Sequence, residues 1–139
     1  MDTTGVLAAR PEIEGERRSR VALSASAVAL LRTLWARHGP LMFHQSGGCC
    51  DGSSPMCFPD GDFKVGGSDI LLGTFELEDD AGARLGEIGF WMSREQFDYW
   101  KHTHLTVDVV PGRGSGFSVE APEGKRFLIR SEIMEPEGP

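Results

Sequence analysis

Three thiols fall within nine residues of this 139-residue chain: Cys49, Cys50 and Cys57, in the run Ser46-Gly47-Gly48-Cys49-Cys50-Asp51-Gly52-Ser53-Ser54-Pro55-Met56-Cys57. Thiolates are soft donors that suit zinc, iron or cuprous copper. The Gly-Gly entry allows a sharp bend, and Pro55 favours a return turn. The paired CxxC knuckles of zinc ribbons are absent, and adjacent cysteines in an extended chain point apart, so one of Cys49 and Cys50 is expected to work with Cys57. The other is a candidate reactive thiol. A disulfide from Cys57 to either neighbour would close a short, switchable loop. The competing reading is three free cysteines packed as small hydrophobes.

Four histidines accompany the thiols. His38 closes a predicted helix, where an imidazole serves the dipole. His44 precedes Cys49 by five residues. His102 and His104 are two apart, so an extended segment places both on one face with Thr106 and Asp108. That face is either the wall of a site or plain solvent-facing surface. Together these residues define the expected mixed site: Cys49, Cys50 or Cys57 with His44, His102 or His104, holding a transition metal, zinc or iron. A second candidate is the run Gly112-Arg113-Gly114-Ser115-Gly116. Its backbone N–H groups, with Arg113, Gly114 and Ser115, could cradle an anion, or it could serve only as a hairpin connection. It matches neither a P-loop nor a dinucleotide fingerprint. No pair of carboxylates is spaced as an acid/base dyad; Glu87 and Asp108 lie on predicted strands and are candidates to line a cleft.

The elements that must position these residues follow from periodicity. Residues 25–38 carry Ala27, Leu30, Leu31, Leu34 and Trp35 at helical spacing, with Ser24 or Ser26 as cap and Gly39-Pro40 as stop. Strands are expected over 41–46, 70–78, 84–92 and 104–110, the middle two forming a hairpin across Asp79–Gly82. Ser93 and Gln96 form a capping box over a short helix, 93–101, with Met92 and Phe97 as its staple. A last hairpin is expected from 117–120 and 126–134. The order predicts an α+β class: one domain over 21–134, with a largely antiparallel sheet, one longer N-terminal helix and one short helix. Residues 1–20 read as a mobile leader and 135–139 as a tail.

Bulk composition narrows the partners. The net charge is −7, which repels a phosphate backbone, so nucleic acid is not expected. No run of about 18 apolar residues exists, so no membrane span is expected. The odd number of cysteines, with no export signal at the N-terminus, points to a reducing, cytoplasmic setting. The chain's composition leaves assembly into an oligomer open.

The cysteine run, with Gly112-Arg113-Gly114-Ser115-Gly116-Phe117-Ser118-Val119-Glu120 and the later Arg126-Phe127-Leu128, resembles the bacterial DUF779 family over roughly residues 25–134. The family is of unknown function, and its members are often encoded beside NAD-dependent aldehyde dehydrogenases. The resemblance implies an accessory role in aldehyde or alcohol metabolism, with an aldehyde dehydrogenase as partner. It transfers no catalytic residue. Three readings follow: a protein with a Cys/His metal site, a thiol redox or aldehyde-scavenging protein, and a non-enzymatic binding partner of the dehydrogenase.

Overall fold

The computed structural model describes residues 5–45, 53–62, 65–112 and 118–134. In chain order the elements are β1 (Gly5–Ala8), β2 (Arg10–Pro11), β3 (Val21–Ser24), α1 (Ala25–His38), β4 (Leu41–Gln45), β5 (Met56–Pro59), β6 (Asp69–Glu78), β7 (Arg84–Ser93), α2 (Arg94–Trp100), β8 (Thr103–Pro111) and β9 (Lys125–Ile133). A 3-10 turn, Ala121–Glu123, precedes β9. The α+β class and both helices match the periodicity.

The strands divide into two sheets, ordered β1-β3-β8-β9 and β2-β6-β7-β4-β5. Among the described residues, five strand pairings are antiparallel, and β3–β8 and β4–β7 are parallel. One apolar core lies between the sheets and α1. Phe43 joins the layers, lying 5.6 Å from the ring of Phe90 in its own sheet and meeting Phe127 of the other edge-on at 5.0 Å. Around these rings pack Leu23, Leu31, Leu34, Phe75, Ile88 and Val107. Burying each such side chain contributes about 1.5–3 kcal/mol.

Local chemistry sets the helix ends. Ser24 caps α1, its hydroxyl accepting the Ala27 N–H at 3.1 Å. At the other end Gly39 has φ 77°, a left-handed conformation that glycine adopts freely, and its N–H closes on the Trp35 carbonyl at 2.8 Å. Ser93 caps α2 through the Gln96 N–H at 3.2 Å.

Residues 1–20 were expected to form a mobile leader, and the described part of them does not fit that expectation. β1 pairs with β3 and β2 pairs with β6, so the chain at Ala9 steps from one sheet to the other. Ala9 itself is buried. Arg10 then meets Glu12, Glu76 and Glu87 at 3.1–3.2 Å, and Thr74 donates to Glu12 at 2.6 Å. Composition alone suggested a solvated tail because Glu76 and Glu87, two of Arg10's three partners, and Thr74, the partner of Glu12, lie on strands distant in sequence.

Two further differences concern strands. Met56–Pro59, read as part of the cysteine loop, is strand β5, antiparallel to β4. Within the expected strand 117–120, residue 117 lies outside the described residues, and 118–120 are a bend and turn leading into the 3-10 turn.

Candidate functional site

The register of β4 against β5 decides which cysteine-loop residues can act together. Phe43 pairs with Cys57, and His44 pairs with Met56. Side chains alternate along a strand, so Cys57 shares the inward face with Phe43, while His44 and Met56 share the outward face. Cys57 is fully buried in the core. Burial pushes its thiol well above the usual cysteine range, and the nearby Glu120 carboxylate adds to the rise. It is therefore an inert core thiol rather than a nucleophile or a ligand shared with His44.

His44 is 3% exposed and its Nε2 lies 2.9 Å from Asp69 Oδ1. The second carboxylate oxygen of Asp69 accepts the Gly66 N–H at 2.8 Å. Burial by itself would raise the Asp69 pKa, but the Gly66 N–H and His44 outweigh it and hold the group below the usual carboxylate range. The carboxylate consequently stays ionised and orients the imidazole. Asp69 reaches His44 through sheet geometry: His44 pairs with Trp91 and Trp91 with Leu71, and Asp69, two residues before Leu71, shares that outer face. Nothing in the sequence marked Asp69, 25 residues away from His44.

The exit of the cysteine loop is fastened to the second family-like stretch. Cys57 N–H donates to Ser118 Oγ at 2.8 Å, and Val119 N–H donates to the Cys57 carbonyl at 3.0 Å. The Ser118 hydroxyl donates in turn to Glu120 Oε1, while Ile129 N–H donates to the Ser53 carbonyl at 2.7 Å and Arg126 Nη1 to Ser54 Oγ at 2.7 Å. Glu120 is fully buried. Burial raises its pKa, against the opposing hydrogen bonds from Ser118 and from the N–H groups of Glu120 and Phe127. Ser118 and Glu120 thus explain structurally why the two stretches lie side by side. Both stood in the sequence, but only the fold reveals their contact with Cys57.

His102 and His104 lie elsewhere. His104 stands on β8 opposite Glu132 of β9, on the face of the β1-β3-β8-β9 sheet turned away from Leu105 and Val107, which are in the core. Both sheets and the core separate this face from the outward face bearing His44. Of the expected donors, Cys57, His44 and His104 therefore lie apart, so no one ion is shared by His44 with Cys57 or with His104. Sequence spacing could not reveal this, because the two His-bearing strands belong to different sheets. Among the described residues, no group of three or more His, Cys, Asp or Glu is placed to hold a metal ion. Cys49 and Cys50 lie outside the described residues, as do Arg113, Gly114 and Ser115 of the expected anion cradle.

The two carboxylates singled out on strands have structural partners. Asp108 is 2% exposed and receives the Ser24 hydroxyl at 2.7 Å and Arg130 Nε at 2.9 Å. Burial opposes its ionisation, yet Arg130, Ser24 and the Val109 N–H hold its pKa down. Glu87 is exposed in the Arg10 cluster.

The fold and these contacts define a two-sheet α+β domain with an oriented His–Asp pair whose His44 lies on the strand that precedes Cys49 and Cys50 in sequence. The chain belongs to the DUF779 family, a domain of unknown function whose family model matches residues 30–133. No curated protein and no solved structure matches it. Among the described residues, no helix is long and apolar enough to cross a membrane.

Proposed function

We propose that this chain is an accessory protein of aldehyde or alcohol metabolism that holds zinc or iron through His44 and a thiolate of Cys49 or Cys50. The observation that carries the metal site is the His44–Asp69 pair, 2.9 Å apart and nearly buried. A ligating histidine commonly donates its other ring N–H to a carboxylate, which fixes the tautomer and makes the imidazole a better donor. A neutral imidazole that gives its Nε2–H to Asp69 would offer Nδ1 to the metal. Cys49 and Cys50 follow His44 by five and six residues, a tether whose extended reach is at most about 20 Å. The soft thiolate and borderline imidazole suit zinc or ferrous iron. The aldehyde assignment rests on the family resemblance, and it makes an aldehyde dehydrogenase the partner to try first.

The same His–Asp pair favours a second reading, in which His44 draws the proton from a loop cysteine and the thiolate adds to an aldehyde or exchanges with a disulfide. Elemental analysis of the full chain, purified without a His tag, separates the two. The metal reading expects close to one equivalent of zinc or iron, lost in His44→Ala and in Cys49→Ser or Cys50→Ser, and kept in Cys57→Ala and His104→Ala. Less than about a tenth of an equivalent after reconstitution overturns it. Thiol titration across pH then decides the second reading, which fails if Cys49 and Cys50 ionise only near the free-cysteine value.

A further inference from the structure

The outer face of the β1-β3-β8-β9 sheet carries a depression of about 470 Å³, within the range of small-molecule sites. It lies on the opposite side of the molecule from His44 and depends on none of the residues proposed above. We propose that this depression is a binding site for a small carboxylate bearing a neighbouring hydroxyl or amino group.

The register builds the site. One row of cross-strand partners reads Ala8, Ala22, Thr106, Arg130, and the adjoining row places His104 opposite Glu132. Methyl groups therefore make the floor at one end, and polar side chains make the wall at the other. The floor is kept low: a Cβ at Gly5 would lie 2.6 Å from the Ala22 methyl, so any larger residue there would force the strands apart.

Arg130 is held ready for an anion. Its Nε donates to Asp108, which is buried and is itself fixed by the Ser24 hydroxyl. This chain of bonds orients the guanidinium and leaves its two Nη groups as the donors that a carboxylate accepts side by side. Thr106, the cross-strand neighbour of Arg130, adds a hydroxyl.

Charge selects against a simple anion. Asp108 cancels Arg130, and Glu132 remains as a negative group at the rim. A ligand must therefore bring a donor to the Glu132 end as well as a carboxylate to Arg130. His104 lines the same end of the depression. Its Nδ1 is buried and has no hydrogen-bond partner among the described residues. Burial lowers the imidazole's proton affinity more than Glu132 raises it, so the ring is neutral at neutral pH and can accept.

The test is a titration of isotopically labelled full chain with lactate and with serine, followed by amide and imidazole chemical shifts. Propionate, which lacks the hydroxyl, and lactamide, which lacks the charge, serve as comparisons. Saturable shifts centred on Ala22, His104, Thr106 and Arg130 are expected, with propionate and lactamide at least about tenfold weaker. Ala8→Leu, at an exposed floor position outside the Ser24–Asp108–Arg130 chain, should weaken lactate or serine binding at least about tenfold while leaving the remaining spectrum unchanged. His104→Ala should do the same. Absence of saturable shifts up to about 20 mM, equal binding of propionate, or unchanged binding in Ala8→Leu overturns the site.

Discussion

A chain whose remaining thiol is Cys57, made by Cys49→Ser and Cys50→Ser, should resist labelling by a disulfide reagent for as long as it stays folded. Cys57 is fully buried, its N–H is held by Ser118, and its carbonyl receives the Val119 N–H. Reaching the sulfur means peeling β5 from β4 and from residues 118 and 119 together. If that opening costs even about 4 kcal/mol, near the low end of domain stabilities, the thiol is exposed roughly one-thousandth of the time. Labelling should then run about a thousandfold slower than in denaturant. The linked pH effect has a definite sign. The folded thiol pKa lies above the unfolded value, so the stability Cys57 contributes is complete below about pH 8.5. It falls as pH rises above that, by up to about 1.4 kcal/mol per pH unit, until the folded pKa is passed. Chemical denaturation from pH 7 to 10 should show this slope in the double variant and lose it on adding Cys57→Ala. Stoichiometric labelling at the rate of an exposed thiol would refute the assignment of Cys57 to the core.

Other expectations rest on separate contacts. Asp69→Asn should leave the fold intact but weaken metal affinity about 10–100-fold, measured by competition with a chromogenic chelator; unchanged affinity would remove Asp69 from the site. Asp108→Asn should destabilise by about 2–3 kcal/mol in urea unfolding, less than a fully buried pair because Arg130 keeps contact with water. Because the folded Asp108 pKa is depressed, its contribution is present above about pH 3.9 and vanishes as pH falls through the folded value. Glu120→Gln should be neutral or stabilising at pH 7, since the folded pKa is raised and the native carboxyl contributes most below its unfolded pKa; strong destabilisation at pH 7 would contradict this. Deleting residues 1–11 should cost at least about 2–3 kcal/mol from Leu7 and Ala9 alone, read as a lowered denaturation midpoint.

Periodicity and caps were enough to place α1, α2 and the β6–β7 hairpin, because those elements depend on residues close in sequence. Leu30, Leu31 and Leu34 make the apolar stripe of α1, and Ser24, Gly39 and Ser93 supply the caps where they were expected. The cysteine run and the glycine-rich run were legible as motifs, and they carried the family. What the sequence could not supply was the assignment of strands to sheets and of side chains to faces. A shift of one residue reverses a side chain's face, and two parallel pairings join strands that no short turn connects. Those features put Cys57 into the core, brought Asp69 to His44, and left His104 on the far side of the molecule. The cysteine motif was therefore readable from the sequence, while which of the described donors can meet was decided by long-range register, which local residue patterns do not encode.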